Sequence, residues 1–430
     1  MKSPCLPFWK VSLLSVTAAL SFTLSAHAEE AGAFFFRDGD RAMILGDSIT
    51  QQRMYSTMVE SYVLSRFPNW NITFRNTGWG GDTMGLRTRG GVDAGFDRDI
   101  KPLNPTAVTI DFGMNDAREG DKGYAPYLAN ALKLTDKFAA MGTRVALISP
   151  SAEERYTEGQ PAGSAYNLRL QKYSEGLRDF AKEKGILFVD QLTPMIGVIE
   201  SGRKAGVLPA KESGPRLIPD GVHPNWDGHL VMATEVLKGL HAPALVSKVE
   251  INGKTREVKA EKAKVTDVTT GEKIAFTRLD DAMPWPVPPE TQLALKIPGF
   301  TPFDDLSRYD LVVSDLPAEQ YKVSVDGKDF GTYTREQLAA GVNFTSEAIK
   351  QFGEVRQLLA AIVAKNDLFF NRWRQVQLAE IPAWIPAEAV EPARAAKLKE
   401  LDAKLAEAEA KVNSLRAPKS HQWVLSPVTK

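Results

Sequence analysis

Between residues 35 and 245, short apolar runs alternate with longer stretches of helical periodicity, and this alternation leaves the chain few possible folds. The runs at 42–45, 72–75, 107–112, 145–149 and 186–189 are bounded by turn residues and read as strands. The stretches 55–67, 124–141 and 167–184 read as helices. Apolar strands separated by helices build βαβ units, in which each crossover lays a helix on the sheet and keeps the strands parallel. An α/β fold with a parallel sheet covered on both faces is therefore predicted for residues 35–245.

The first 28 residues stand apart from this pattern. Lys2 and Lys10 precede an apolar stretch at 11–24, and Ala26-His27-Ala28 follows as a small-x-small site. That order is a signal peptide cleaved after Ala28, so the protein is expected to be exported to the periplasm or beyond. The apolar stretch is shorter than the ~20 residues that span a bilayer, and no membrane insertion is expected after cleavage. Cys5, the only cysteine, leaves with the signal, so the mature chain has no disulfide and no thiol nucleophile. The 53 basic and 53 acidic residues of the whole chain balance, and loss of Lys2 and Lys10 leaves about −2. With no basic patch, nucleic acid and anionic membranes are not expected partners.

Beyond residue 245 the texture changes. Asn252-Gly253, Thr270-Gly271 and Asp326-Gly327 are flanked by β-prone residues, and the first and last suit hairpin turns that need positive φ. A Pro-rich connector, "MPWPVPP" (283–289), lies among them. Residues 246–340 are expected to form a small antiparallel β module. From 347 to 374 apolar residues recur at helical spacing. After "IPAWIP" (381–386), Leu398, Leu401, Leu405, Ala408, Val412 and Leu415 alternate in steps of three and four. Two helices over 345–416, packed on each other and on the body, are expected, followed by a tail at 417–430. Trp285, Tyr309, Tyr321 and Tyr333 could offer a sugar-binding surface in the β module, although such aromatics usually belong to the core.

The chemistry centres on "ILGDSITQ" (44–51). An apolar run ending in Gly46-Asp47-Ser48 places a serine at the carboxyl end of the first strand, the edge where open α/β sheets bind ligands. Ser48 could cap a helix or act as a nucleophile, and a nucleophile needs a base. The mature chain has His223, His229, His241 and His421, and only His223 has a carboxylate three residues before it, in "PDGVHP" (219–224). Asp220 can bind Nδ1–H of His223 and leave Nε2 facing the serine. Two stretches could supply oxyanion donors: "NTGWGGDT" (76–83), with glycines permitting close backbone approach, and "FGMNDA" (112–117), which presents Asn115. The glycine run is not a phosphate loop, and no metal-ligand spacing is present, so no cofactor and no metal are expected.

In the order Gly46-Asp47-Ser48, Gly81, Asn115-Asp116 and Asp220-x-x-His223, these stretches resemble the four sequence blocks of the GDSL, or SGNH, hydrolases over about residues 40–240. The resemblance implies a flavodoxin-like three-layer α/β/α sandwich. It implies Ser48 as nucleophile and His223 as base oriented by Asp220. The oxyanion hole would combine the Ser48 and Gly81 backbone amides with the Asn115 side chain. Gly81, rather than Gly78 or Gly80, fits because it directly precedes Asp82-Thr83. Ile49 stands where the family usually has leucine.

The expected function is a secreted serine esterase working through an acyl-enzyme and removing short acyl groups, acetyl above all, from a carbohydrate. The partner is then a small-molecule or glycan ester. A lipid or aryl esterase and an acyltransferase use the same groups. A glycan-binding or assembly protein on an inactive hydrolase fold is the alternative of another class.

Overall fold

The computed structural model describes residue 1 and residues 32–155, 164–209 and 213–428. The expected signal peptide at 1–28 lies, apart from residue 1, outside the described residues. Among the described residues no helix is long and apolar enough to cross a membrane.

Strands β1 (Arg41–Gly46), β2 (Thr73–Asn76), β3 (Ala107–Asp111), β4 (Arg144–Ile148) and β5 (Leu187–Val189) form one parallel sheet in the order β2-β1-β3-β4-β5. This is the doubly wound, flavodoxin-like order. From β1 the chain steps outward to β2, then returns past β1 to β3 and runs the opposite way to β5. Right-handed crossovers therefore put helices on both faces. Helix α2 (Met54–Arg66) packs beside the helix Trp226–Gly239, and the helix Asp121–Ala140 packs beside Ala165–Lys184. All five residues of β3 are buried, as a central strand covered on both sides requires. The reversal of strand order falls between β1 and β3, where a crevice opens at the carboxyl edge of the sheet.

Residues 245–343 and 421–427 build two further sheets. In the first, β6 (Leu245–Asn252), β7 (Val258–Glu261), β10 (Arg308–Ser314) and β13 (Val342–Asn343) lie in the order β13-β10-β6-β7. In the second, β8 (Ala263–Thr269), β9 (Ile274–Asp280), β11 (Gln320–Val325), β12 (Lys328–Thr334) and β14 (His421–Pro427) lie in the order β12-β11-β14-β9-β8.

Two expectations need correction here. The β region is not purely antiparallel, because β6 and β10 pair in parallel. Their connection runs through the β7–β9 strands and the Pro-rich connector, long enough for a crossover that hairpin signals alone do not reveal. Nor is 417–430 a tail, because β14 is antiparallel to both β9 and β11. His421, Trp423 and Leu425 point into the core while Gln422 is exposed, the alternation of a half-buried strand.

The turn at Asp326-Gly327 has positive φ at both residues (50° and 75°), as a tight hairpin demands. Trp285, Tyr309 and Tyr321 are fully buried and Tyr333 is half-buried, so these rings serve packing. Arg278 on β9 joins the two sheets: it binds Asp280, donates to the Ser247 hydroxyl on β6, and lies 3.9 Å from the centre of the Tyr309 ring.

The helix Gly353–Phe370 continues as a wider turn over Asn371–Gln377, and the helix Ala387–Ser414 packs back on it. Together they lean on α2 and β2. Lys365 and Glu60 pair at 2.6 Å with both side chains buried, and Arg75 of β2 meets Glu409 at 2.5 Å.

His421 is held between two carboxylates, Nδ1 at 2.7 Å from Asp326 and Nε2 at 2.8 Å from Glu354, with its ring stacked 3.7 Å from Phe352. Burial alone would lower its pKa, but Glu354 and Asp326 outweigh that and raise it above the ordinary histidine value. A raised folded-state pKa stabilises fully below the unfolded value of ~6.5 and loses that contribution as pH rises through the folded value. His421→Gln should therefore destabilise by about 3 kcal/mol at pH 6, where it leaves a buried carboxylate unpaired, and by clearly less at pH 9. Urea unfolding of both proteins at the two pH values checks this, and an equal gap at both would refute the charge pairing.

Candidate active site

The local chain explains why Ser48 sits where it does. A Cβ on Gly46 would lie 2.1 Å from the Thr50 hydroxyl and 2.7 Å from the Asp111 carbonyl, so only glycine lets β1 turn straight into the short helix α1 (Ser48–Gln51). Asp47 caps that helix by accepting the Ile49 N–H at 2.9 Å. Burial, reinforced by the Asp111 carboxylate, pushes the Asp47 pKa up.

On the far side of the crevice, Gly221 takes φ 87° and folds 220–223 into a tight turn. Asp220 accepts the backbone N–H groups of His223 (2.7 Å) and Val222 (2.8 Å) through one oxygen. Its other oxygen lies 2.7 Å from His223 Nδ1. His223 Nε2 is 2.9 Å from Ser48 Oγ. With Nδ1–H donating to Asp220, Nε2 carries the lone pair that faces the serine hydroxyl. Partial burial would raise Asp220, but the hydrogen bonds from His223 and Val222 prevail and hold it at about 2. The carboxylate thus stays charged across the neutral range. The His223 side chain is 37% exposed, which leaves the serine–histidine pair open to an incoming ester.

The glycine-rich loop sorts its own donors. Gly78 N–H donates to Asn76 (3.0 Å) and Gly80 N–H to the Gln51 side chain (2.6 Å). The N–H groups of Ser48 and Gly81 have no acceptor among the described residues. Asn115 Nδ2 donates to the Asp82 carbonyl at 2.9 Å, and its other hydrogen has only Asp47 at 3.5 Å. Two backbone amides and one side-chain amide can therefore turn toward a developing oxyanion.

The loop is anchored from beneath. Asp82 and Arg89 form a fully buried pair at 2.6 Å, and Arg89 also donates to the Thr77 carbonyl. The Asp116 carboxylate accepts Met84 N–H, and burial pushes its pKa up to about 7. The Arg374 guanidinium lies 3.7 Å from the centre of the Trp79 ring, so the C-terminal helices press on the residue just before Gly80.

The other histidines are placed differently. His229 is buried, its Nδ1 accepting Tyr55 N–H and its Nε2 donating to Gln52; burial pushes its pKa down to about 3, so it stays neutral. His421 belongs to the distant β sheet.

Sequence reasoning missed Gln51, Asp82, Arg89 and Trp79 as supports of the site. Gln51 alone offered a cue, three residues after the serine on the same short helix.

Residues 44–231 match the family described as GDSL-like lipase/acylhydrolase. No curated protein sequence matches the chain. Among solved structures, a gut microbial diltiazem-metabolizing enzyme is similar over 92% of this chain and 99% of its own, with 23% identity and a TM-score of 0.74. That likeness extends the shared fold across the C-terminal sheets and helices. An acetylxylan esterase from Geobacillus stearothermophilus, 22% identical, covers 48% of this chain and 96% of its own with a TM-score of 0.39, too low to bear on the comparison. Residues 44–231 thus carry a domain that matches the GDSL-like lipase/acylhydrolase family, and this match supports a serine ester hydrolase.

Proposed function

We propose that Ser48 is the nucleophile of an esterase that removes short acyl groups through an acyl-enzyme. The observation that carries this reading is the continuous line from Asp220 through His223 to Ser48, with hydrogen bonds of 2.7 and 2.9 Å. His223 Nε2 takes the hydroxyl proton as Oγ bonds to the ester carbon. Ser48 N–H, Gly81 N–H and Asn115 Nδ2 receive the negative charge that gathers on the carbonyl oxygen. When the carbon–oxygen bond to the alcohol breaks, His223 returns the proton to the departing oxygen. Water then repeats the sequence on the acyl-serine and frees the acid. The order of Lys2 and Lys10, the apolar stretch 11–24 and Ala26-His27-Ala28 supports an exported enzyme.

The reading is tested by mixing enzyme with p-nitrophenyl acetate, quenching with acid and mapping peptides by mass. One acetyl group should appear on the peptide carrying Ser48 and on no peptide of Ser48→Ala. An acetyl group found elsewhere, or steady turnover by Ser48→Ala, would refute it.

A further inference from the structure

A cavity of about 800 Å³ opens between the Pro-rich connector and the helix Gly353–Phe370. Trp226, Pro286, Val287 and Pro288 form one wall, and Leu359 and Val363 the other. The size suits a drug-sized organic group. Most of its lining is hydrocarbon and proline, and Glu290, Gln292, Ser346, Lys350, Arg356 and Asp367 are its polar groups; a sugar's hydroxyls buried unpaired against the apolar part would be costly. A hydrocarbon ring incurs no such cost.

The walls are preformed. Trp285 Nε1 donates to the Met58 carbonyl at 2.9 Å, and Ser61 donates to the Pro286 carbonyl at 2.7 Å, which pins the connector to α2. The opposite wall is pinned to the same helix by Lys365 and Glu60. Little ordering entropy remains to oppose binding.

The position of the cavity tells which half of an ester it can hold. Trp226 begins the helix that follows His223. Asp367 also lines the cavity and holds Arg53 at 3.0 Å, and Arg53 in turn donates to the carbonyl of Gln51 in α1. One end of the cavity is therefore marked by Trp226, three residues past His223, and by Asp367, which Arg53 links to α1. His223 hands its proton to the departing alcohol, so the alcohol leaves on this side of the serine, away from Gly81 and Asn115.

We propose that this cavity is the alcohol subsite and that the enzyme takes short-acyl esters of apolar, ring-bearing alcohols. The proposal rests on Ser48 and His223 acting as described above. It also gives the C-terminal helices and the Pro-rich connector a role, since neither wall exists without them.

The test fills the cavity. Val363→Trp and, separately, Leu359→Phe are compared with wild type on 2-naphthyl acetate, methyl acetate and an acetylated xylose oligosaccharide. The ratio of kcat/KM for 2-naphthyl acetate over methyl acetate should fall by about tenfold or more in Val363→Trp and less in Leu359→Phe. A fluorescence titration of 2-naphthol into Ser48→Ala should show saturable binding that is lost when Val363→Trp is added. That second measurement needs no turnover, so it separates failure of the subsite from failure of the nucleophile. An unchanged ratio in both variants, undiminished naphthol binding, or a selective loss on the xylose ester would each overturn the proposal.

Discussion

Ser48→Ala should lower kcat on p-nitrophenyl acetate by about 10³-fold or more while leaving the fold intact. The side chain removed is small and, among the described residues, its hydroxyl meets only His223 Nε2, so no sizeable cavity and no orphaned buried group is expected. His223→Ala should do nearly as much harm, since the hydroxyl then has no base 2.9 Å away. The double variant should be little worse than either single one, because the pair acts as a unit. Multiplying losses would show that the two residues act independently, and wild-type turnover in Ser48→Ala would place the nucleophile elsewhere. Circular dichroism and melting curves on the same samples exclude unfolding as the cause.

Asn115→Ala should cost about 10²–10³-fold in kcat with a much smaller change in KM. The carbonyl oxygen of the ground-state ester carries little charge, whereas that of the tetrahedral intermediate carries nearly a full one, so a preorganised donor acts chiefly on the rate. Asn115 is buried beside Asp47 and Asp82 and cannot be replaced by water without rearrangement. Steady-state kinetics decide the point. A loss confined to KM would make Asn115 a ground-state contact.

The parallel sheet was legible because its strands announce themselves locally as apolar runs between turns. The site was legible for a related reason: Gly46-Asp47-Ser48 and Asp220-Gly221-Val222-His223 are short segments whose own turns aim the side chains. Ser48 and His223 are 175 residues apart, yet each is placed by its immediate neighbours. The residues that escaped depend on partners outside their own turn. Gln51 matters through Gly80, Asp82 through Arg89, and Trp79 through Arg374, and no periodicity in the chain pairs them. The same holds for the parallel match of β6 with β10. The strand β14 shows a different failure: its alternation was present in "HQWVLSP", but a single short run beside a long helical stretch has no neighbour in sequence to pair with.

That late strand also bears on how the polypeptide is made. Until residues 421–427 emerge from the ribosome, the β8–β9 and β11–β12 hairpins have nothing between them, and each presents a bare edge of unpaired amides and carbonyls. Two-stranded hairpins hold together poorly by themselves in water. The place of Trp423, against Phe276 and Arg278, stands empty as well. A message cut short or a premature stop upstream of 421 therefore yields a product with adhesive edges and an unfilled core, the features by which proteases recognise faulty goods.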